Sequence, residues 1–440
     1  MLNSLHHIHF IGIGGSGISA IAYLALEKGI KVTGSDIAGS PITEDLAEHG
    51  ARFYVGHAGE HVPDTAELVV YSEAIDQKTN PEFLAAKKKG IPVMSYFESI
   101  SEISKHKKTI AVAGTHGKTT TTAMLGEALV AAGLDPTVIV GSRVPEFGGK
   151  NIRVGHGELF VVESCEYRRS FLNLNPFGAV LLNCEPDHLD YYKDEKDYVS
   201  AFIEFIKKVP KDGFIIANML DKNVQKVCGY CVGNVVGLDS KKMAEISLNM
   251  SVPGDFNKSN ATHAYLAALQ VGAAEKPARK GLENFKGTAR RMEVIGEKDG
   301  VTVIDDYGHH PTEIKATLLA LRDKYKGRRI ICVFQPHQYS RTYRLLGDFK
   351  TAFGDADKVL IPNIYEARDT AEDKKRISAV SFVAALREHH PDVTWTKDFK
   401  TTVGLLYKEN KPGDVIVTMG AGDGYKVGEM FLGHQASLDS

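Results

Sequence analysis

At 440 residues, with 43% apolar and 25% charged residues, the chain is long enough for several hydrophobic cores and has the make-up of a folded globular protein, which excludes a fibrous or disordered one. A net charge of −2 makes no case for nucleic acid or an anionic membrane as partner, and no apolar run approaches bilayer length. The N-terminus lacks a basic segment followed by an apolar core, and the five cysteines (Cys165, Cys184, Cys228, Cys231 and Cys332) suit a reducing compartment, so the expected location is the cytoplasm.

Residues 1–107 alternate short β runs with helical stretches. The strands are read at Ile8–Ile11, Lys31–Ser35, Leu68–Tyr71 and Val93–Tyr96, a βαβ rhythm that predicts a parallel sheet covered by helices. Gly12-Ile-Gly14-Gly15-Ser16-Gly17 follows the first strand and Asp36 ends the second. A G-x-G-x-x-G loop of this kind holds a diphosphate at a helix N-terminus. NAD and a UDP-sugar both carry one, so the loop alone does not choose between them.

Lys105-His-Lys-Lys108 reads as a solvated link to a second domain. There Thr109–Ala113 predicts a buried strand, Lys118–Val130 a helix, and Gly114-Thr115-His116-Gly117 the turn between them. That turn aims backbone N–H groups and a helix dipole at one point, as an anionic phosphate requires. Lys118, on a surface loop, adds a mobile positive charge, and Thr119 a hydroxyl for magnesium. Compared with the general P-loop this is a shortened form, Gly-x-x-Gly-Lys-Thr, with Val112 where the first glycine usually stands. Leu159–Glu163 and Gly178–Asn183 are two further strands, the first ending in an acid and the second followed by Cys184-Glu-Pro-Asp-His188. Glu163 and His188 at such strand ends are candidate metal ligands, each with an ordinary structural role as the alternative. Cys228-Gly-Tyr-Cys231 has redox spacing but no second pair, and reads as incidental. Ser259–Gly272 predicts an alanine-rich helix introduced by Gly254-Asp-Phe-Asn257, and Asn257 and Asn260 are either adenine-reading amides or helix caps.

A third unit begins near residue 295, with strands Val301–Asp305, Arg329–Phe334, Lys358–Pro362 and Asp414–Met419 and helices from Pro311, Tyr343 and Ser378. It is again doubly wound α/β. Thr288-Ala-Arg290-Arg291 places two guanidiniums at its entrance. Asp306-Tyr307-Gly-His309-His310 and Phe334-Gln-Pro-His337-Gln-Tyr-Ser-Arg341-Thr follow its first two strands.

In order, Gly12–Gly17, Tyr71-Ser72, Gly114–Thr122, Glu163 to Leu172, Asn183 to Tyr192, Phe285 to Glu293, Asp305–Glu313, Phe334–Thr342 and Met419–Asp423 resemble the motifs of the Mur ligases of peptidoglycan synthesis. The Asp-Asp-Tyr-Gly-His-His-Pro-Thr-Glu and Phe-Gln-Pro-His-x-Tyr-Ser-Arg-Thr runs are far more specific than either glycine loop. The resemblance implies three domains: a Rossmann-like UDP-sugar-binding domain (1–107), a P-loop-type central ATPase domain (108–295) and a doubly wound C-terminal amino-acid-binding domain (296–440). It implies an ATP-dependent ligase of the alanine-adding branch, which joins L-alanine to the lactyl carboxylate of UDP-N-acetylmuramate through an acyl phosphate. Serine, glycine or a recycled peptide is the alternative acceptor. Expected cofactors are ATP and Mg2+; expected partners are the small substrates alone, with no nucleic acid and no membrane, in a monomer or homodimer.

By motif, Gly14, Gly15, Ser16 and Gly17 hold the UDP diphosphate, with Asp36 and Ser72 near the nucleoside. Gly114, Thr115, His116, Gly117, Lys118, Thr119 and Thr120 hold the ATP phosphates. Thr119, Glu163 and His188 hold magnesium, Asn260 reads adenine, Arg291 contacts the γ-phosphate and Asp306 the ATP ribose. Tyr307, His309 and Arg341 form the acceptor pocket, Arg341 anchoring a carboxylate; Lys118, Glu163, His188, Arg291 and His309 make up the catalytic set. Three departures touch this picture. Glu163-Ser-Cys165-Glu166-Tyr-Arg168 stands for the family's usual Glu-Ala-Asp-Glu-Ser-Asp, Phe256 replaces a histidine common before Asn257, and Gln338 stands where some relatives carry arginine. Phe202 falls where later ligases of the pathway carry a modified lysine, as the alanine-adding branch implies.

Overall fold

The structure is a computed structural model and describes residues 4–188 and 190–434. Three sheets succeed one another along the chain. The first contains β1 (His7–Ile11), β2 (Lys31–Asp36), β3 (Arg52–Val55), β4 (Leu68–Tyr71) and β5 (Val93–Ser95), all parallel, in the order β3-β2-β1-β4-β5. Strand order reverses between β1 and β4, so their C-terminal ends flank the crevice where doubly wound folds take ligands. Gly12–Gly17 leaves β1 at that point and Ser72 leaves β4. Tyr96 departs from expectation: it opens the helix Tyr96–Lys105 and does not end β5. Ser95 caps that helix by accepting the Glu98 N–H, and the Glu98 carboxylate in turn accepts the Ser95 N–H.

The second sheet runs β12-β11-β10-β6-β9-β7-β8. Its strands are β6 (Lys108–Ala113), β7 (Thr137–Val144), β8 (Lys150–Arg153), β9 (Leu159–Glu163), β10 (Gly178–Leu181), β11 (Phe214–Asn218) and β12 (Asn234–Leu238). Only the β7–β8 pair is antiparallel. The central β6 lies between β9 and β10, with Val112 opposite Glu163 and Ala113 opposite Leu181. The phosphate-loop candidate, Glu163 and Asn183 therefore leave neighbouring strands at one edge. The expected link shrinks to His106 and Lys107, between a helix end and β6.

The third sheet has the order β13-β14-β18-β15-β16-β17, from β13 (Glu293–Lys298), β14 (Val301–Asp306), β15 (Ile330–Phe334), β16 (Lys358–Ile361), β17 (Val393–Trp395) and β18 (Val415–Met419). β13 alone is antiparallel. On one face Phe334 packs with Phe349, Phe353 and Phe382, and the helix Pro311–Lys324 adds Ile314, Leu318 and Leu321. On the other, Val333 and Ile416 pack with Val427 and Phe431. Phe334 and Asp306 both lie opposite Met419, so the loops after β14, β15 and β18 start at one level.

By compactness the chain forms two units. One comprises Met1–Glu185, Lys196–Asn249 and Asn260–Phe285 and holds the first two sheets. The other comprises Pro186–Glu195, Met250–Ser259 and Lys286–Ser440 and holds the third. No helix among the described residues is long and apolar enough to cross a membrane.

Candidate active site

In the first unit the Gly12–Gly17 loop is shaped by close approach. Gly12 has φ +79, and a Cβ there would lie 3.0 Å from the Ser72 Cβ, so a side chain is excluded on both counts. Asp36 accepts from the Gly14 N–H through Oδ2 (2.8 Å) and from the Ile37 N–H through Oδ1 (2.8 Å). Asp36 and Ser72 thus both meet the glycine loop, and Asp36 is a loop-holding residue whatever else it binds.

The second glycine turn is tied down from β10. Asn183 accepts the His116 N–H (2.8 Å) and donates to the His116 carbonyl (3.1 Å), while His116 Nε2 meets Glu185 Oε2 at 3.0 Å. The Thr115 hydroxyl donates to the Glu185 carbonyl at 2.7 Å. Gly117 has φ +81 and begins the helix Lys118–Ala131. A Cβ on it would lie 2.6 Å from Asn260 Oδ1, so the Asn260 side chain reaches the turn itself. Asn257 lies in the first turn of the helix Asp255–Gln270 and donates to the Pro253 carbonyl (2.7 Å), a bond back to the preceding loop and not the cap expected as its alternative.

Lys118 is not the mobile surface charge expected. Its side chain is 14% exposed, and its ammonium donates to the carbonyls of Gly114 (2.5 Å) and Thr115 (3.0 Å) and to Glu166 Oε1 (3.1 Å). Burial opposes the charged form, but the buried Glu166 carboxylate outweighs it and holds the ammonium above its ordinary pKa. Glu163 accepts from the Thr119 hydroxyl (3.0 Å) and from the Gly141 N–H (2.6 Å). A side chain at position 141 would strike that carboxylate. Burial and Glu166 push the Cys165 thiol up to about 12, so at neutral pH this site lacks the carboxylate charge that the family's aspartate carries.

The second unit carries the other candidates. Arg290 donates to Asp305 Oδ2 (2.8 Å) and to the Gly420 carbonyl (2.8 Å) and lies over the rings of Tyr307 and Tyr425, a structural clamp. Arg291 also lies over Tyr307, its guanidinium 5.0 Å from the ring centre and 3.7 Å from Glu313 Oε1. Asp306 accepts the N–H groups of Met292 (2.9 Å) and Gly308 (2.7 Å). Burial raises its pKa to about 6, with Arg291 pulling the other way.

Arg341 is 6% exposed and directs Nε (3.2 Å) and Nη2 (3.0 Å) at Asp187 Oδ1, while Nη1 meets His337 Nδ1 at 3.1 Å. The open carboxylate anchor expected at Arg341 is therefore engaged by a carboxylate of the protein. Burial penalises the Asp187 charge, but Arg341 overrides it and holds the pKa well below the usual range. His309 packs edge-on against Tyr307 (5.5 Å) and His337 (6.1 Å), and His337 stacks on Tyr365 (5.3 Å). Burial, reinforced for both rings by Arg341, lowers His309 to about 3 and His337 to about 4. Both imidazoles are neutral at pH 7, so the 3.6 Å approach of His309 to Glu313 is not an ion pair there. His188 and Gln338 have φ of +51 and +74, left-handed backbone held by the surrounding loops, and the Gln338 amide donates to the Ala367 carbonyl (2.9 Å). Leu189, within the Asn183–Tyr192 motif, lies outside the described residues.

Glu166 and Asp187 are among the site residues whose partnerships motif reading missed. Their partners are 48 and 154 residues away in sequence, and a buried carboxylate has no local signature. Cys228 and Cys231 are free thiols raised by burial, Cys228 to about 11, in accord with an incidental pair.

Two glycine turns at parallel-strand ends, one with an anchored lysine beside a threonine–glutamate pair, followed by a third α/β sheet, define a nucleotide-using multidomain enzyme. Family comparison agrees. Residues 7–108 match "Mur ligase family, catalytic domain", 112–236 the Mur ligase middle domain and 290–422 "Mur ligase, glutamate ligase domain". The chain belongs to the Mur ligase family. It is 42% identical to the UDP-N-acetylmuramate–L-alanine ligase of Clostridium kluyveri over 97% of both chains. It is 43% identical to the enzyme of that name from Acetivibrio thermocellus, over 98% of this chain and 96% of that one. Among solved structures, UDP-N-acetylmuramate-alanine ligase MurC from Thermotoga maritima matches with a TM-score of 0.80 at 24% identity, over 97% and 98% of the two chains. A murein peptide ligase from Psychrobacter arcticus matches with 0.71 at 24% identity, over 99% and 100%. These two structural likenesses speak for the fold.

Proposed function

We propose that this chain is an ATP-dependent ligase that joins L-alanine to the lactyl carboxylate of UDP-N-acetylmuramate, forming ADP and phosphate. The observation that carries the reading is the Lys118 ammonium, held at the mouth of a glycine turn beside Glu166 and the Thr119–Glu163 pair, in a chain so similar throughout to ligases of that name.

The substrate carboxylate attacks the γ-phosphorus of ATP; the bond to the ADP oxygen breaks and an acyl phosphate forms. The alanine nitrogen then attacks the acyl carbon, loses a proton, and phosphate departs as the amide forms. Such chemistry asks a protein mainly for positioning and charge stabilisation. Backbone N–H groups of the Gly114–Lys118 turn other than that of His116, which Asn183 accepts, and the dipole of the following helix receive the ATP phosphates, with Thr120 in the first turn. Lys118 stabilises charge developing on the transferred group. Asn260, beside Gly117, serves adenine, Asp306 the ribose and Arg291 the γ-phosphate. Gly14–Gly17, Asp36 and Ser72 take the UDP moiety.

Thr119 and Glu163 fit magnesium: two hard oxygen donors 3.0 Å apart, one anionic. With His188 as a third, less typical donor they would hold the ion, which when bound neutralises phosphate charge. The acceptor site is built from Tyr307, His309 and Arg341. Because Asp187 engages Arg341, the acceptor carboxylate competes with an internal one, and the neutral His309 and His337 add hydrogen-bonding capacity without charge. Phosphate release from the purified chain should require ATP, UDP-N-acetylmuramate and a small amino acid together; release without the sugar nucleotide would contradict the proposal.

A further inference from the structure

Tyr96 has no task in the reaction as described, yet it stands between the two phosphate-binding turns of the first unit. It begins the helix Tyr96–Lys105 at the C-terminal end of β5, the ligand-facing edge of the first sheet. Its ring lies directly on Gly17, where an added Cβ would meet ring atoms at 2.7 Å, so the phenol sits at the start of the helix that follows the diphosphate loop. The helix body is fastened to the chain that follows Glu163–Glu166: Ser101 donates to the Asn173 carbonyl (2.6 Å), and Ser104 accepts the Asn175 N–H (3.1 Å). The same side chain lies within electrostatic reach of Glu163 and Cys165, and burial together with those neighbours keeps the phenol protonated. The ring is half-buried, and among the described residues its hydroxyl has no hydrogen-bond partner. A protonated donor without a partner, fixed between a diphosphate site and a carboxylate-activating site, is placed for a ligand that spans both.

We propose that Tyr96 is a further sugar-nucleotide-binding residue: its hydroxyl donates to the arm of the substrate that runs from the diphosphate at Gly14–Gly17 to the reacting carboxylate beside Lys118 and Glu163. The inference rests on the reading of the first glycine loop as the UDP site. The alternative role, a ring that fills space over Gly17, is kept by phenylalanine and separates cleanly from the proposed one.

The experiment compares Tyr96→Phe with the wild-type chain in steady-state kinetics and in equilibrium titration with UDP-N-acetylmuramate and with UDP, which lacks the arm. Loss of one hydrogen bond to a polar or charged ligand group corresponds to roughly tenfold. The variant should show a KM and a Kd for UDP-N-acetylmuramate raised about tenfold, with KM for ATP and L-alanine within about twofold and an unchanged Kd for UDP and melting temperature. Tyr96→Phe indistinguishable from wild type, or weakened equally toward UDP and UDP-N-acetylmuramate, overturns the proposal. A wild-type chain that binds UDP but ignores UDP-N-acetylmuramate overturns the functional reading along with it.

Discussion

Two buried ion pairs show how far a residue's type is from its role. Lys118 was legible from spacing as a phosphate-binding cation, but its engagement with Glu166 was not, because pairing across 48 residues depends on the fold. The consequence is measurable. Lys118→Met should cut turnover by at least about a hundredfold, as loss of a charge-stabilising group does. It should also destabilise the chain by about 3–5 kcal/mol, because Glu166 is left buried without its cation. Glu166→Gln in the Lys118→Met background should restore the urea midpoint and leave turnover depressed. Turnover that recovers together with stability would make Lys118 a structural residue only. Arg341 and Asp187 follow the same logic. Arg341→Ala alone should lower stability by about 3–5 kcal/mol, and Arg341→Met with Asp187→Leu should recover most of it; equal denaturation midpoints for wild type and Arg341→Ala would show that the pair contributes nothing.

At the scale of elements, readability followed burial. β1, β4, β6, β9, β14, β15, β16 and β18 are apolar runs and were legible as such. β7 and β11 carry the same signal, between motifs that draw attention elsewhere. β3, β12 and β13 are sheet-edge strands, mostly half-buried, and lack the continuous apolar pattern of a strand covered on both faces. The Tyr96 helix was readable from Ser95-Tyr-Phe-Glu98, a capping-box pattern overridden by the apolar Val93-Met94 before it.

The helix Lys118–Ala131 carries a testable liability in Glu127. Burial, with Glu146 adding, raises its pKa to about 7. A folded-state pKa above the unfolded value means that the folded chain binds more protons between about pH 4.5 and 7, so stability falls as pH rises through that window. Its side chain makes no hydrogen bond among the described residues. Glu127→Gln should therefore raise stability by about 1–2 kcal/mol at pH 8 and leave it unchanged at pH 4, followed by thermal melts at both pH values. Equal shifts at the two pH values would sink the assignment. His309 and His337 act in the opposite direction. Their folded pKa values of about 3 and 4 lie below the unfolded one, so the unfolded chain binds the extra protons as pH falls from 6.5. Stability should drop on acidification by up to about 1.4 kcal/mol per pH unit for each histidine, and His309→Gln should flatten that slope between pH 6 and 4. An unchanged slope would mean that His309 already titrates normally in the folded chain.

For the whole molecule, the order of motifs carried the family and the α/β architecture, because glycine turns, strand ends and helix starts are local events written in consecutive residues. What each site residue touches was not local, and neither Asp187 beside Arg341 nor Asn260 beside Gly117 has a sequence signature. The departures Cys165, Arg168 and Gln338 leave both glycine turns intact, and the resemblance to the family makes acceptor choice, more than phosphoryl transfer, the property on which they should tell. A pocket that selects mainly by size separates side chains differing by one small group only weakly, so serine and glycine should react more slowly than alanine without being rejected. The most direct test is phosphate release by the purified chain with ATP, Mg2+ and UDP-N-acetylmuramate, screened against the twenty amino acids one at a time. Release is expected only when the sugar nucleotide and an amino acid are both present, fastest with L-alanine and reduced with serine and glycine; preference for a large or acidic amino acid, or release indifferent to the sugar nucleotide, would rule out an alanine-adding ligase.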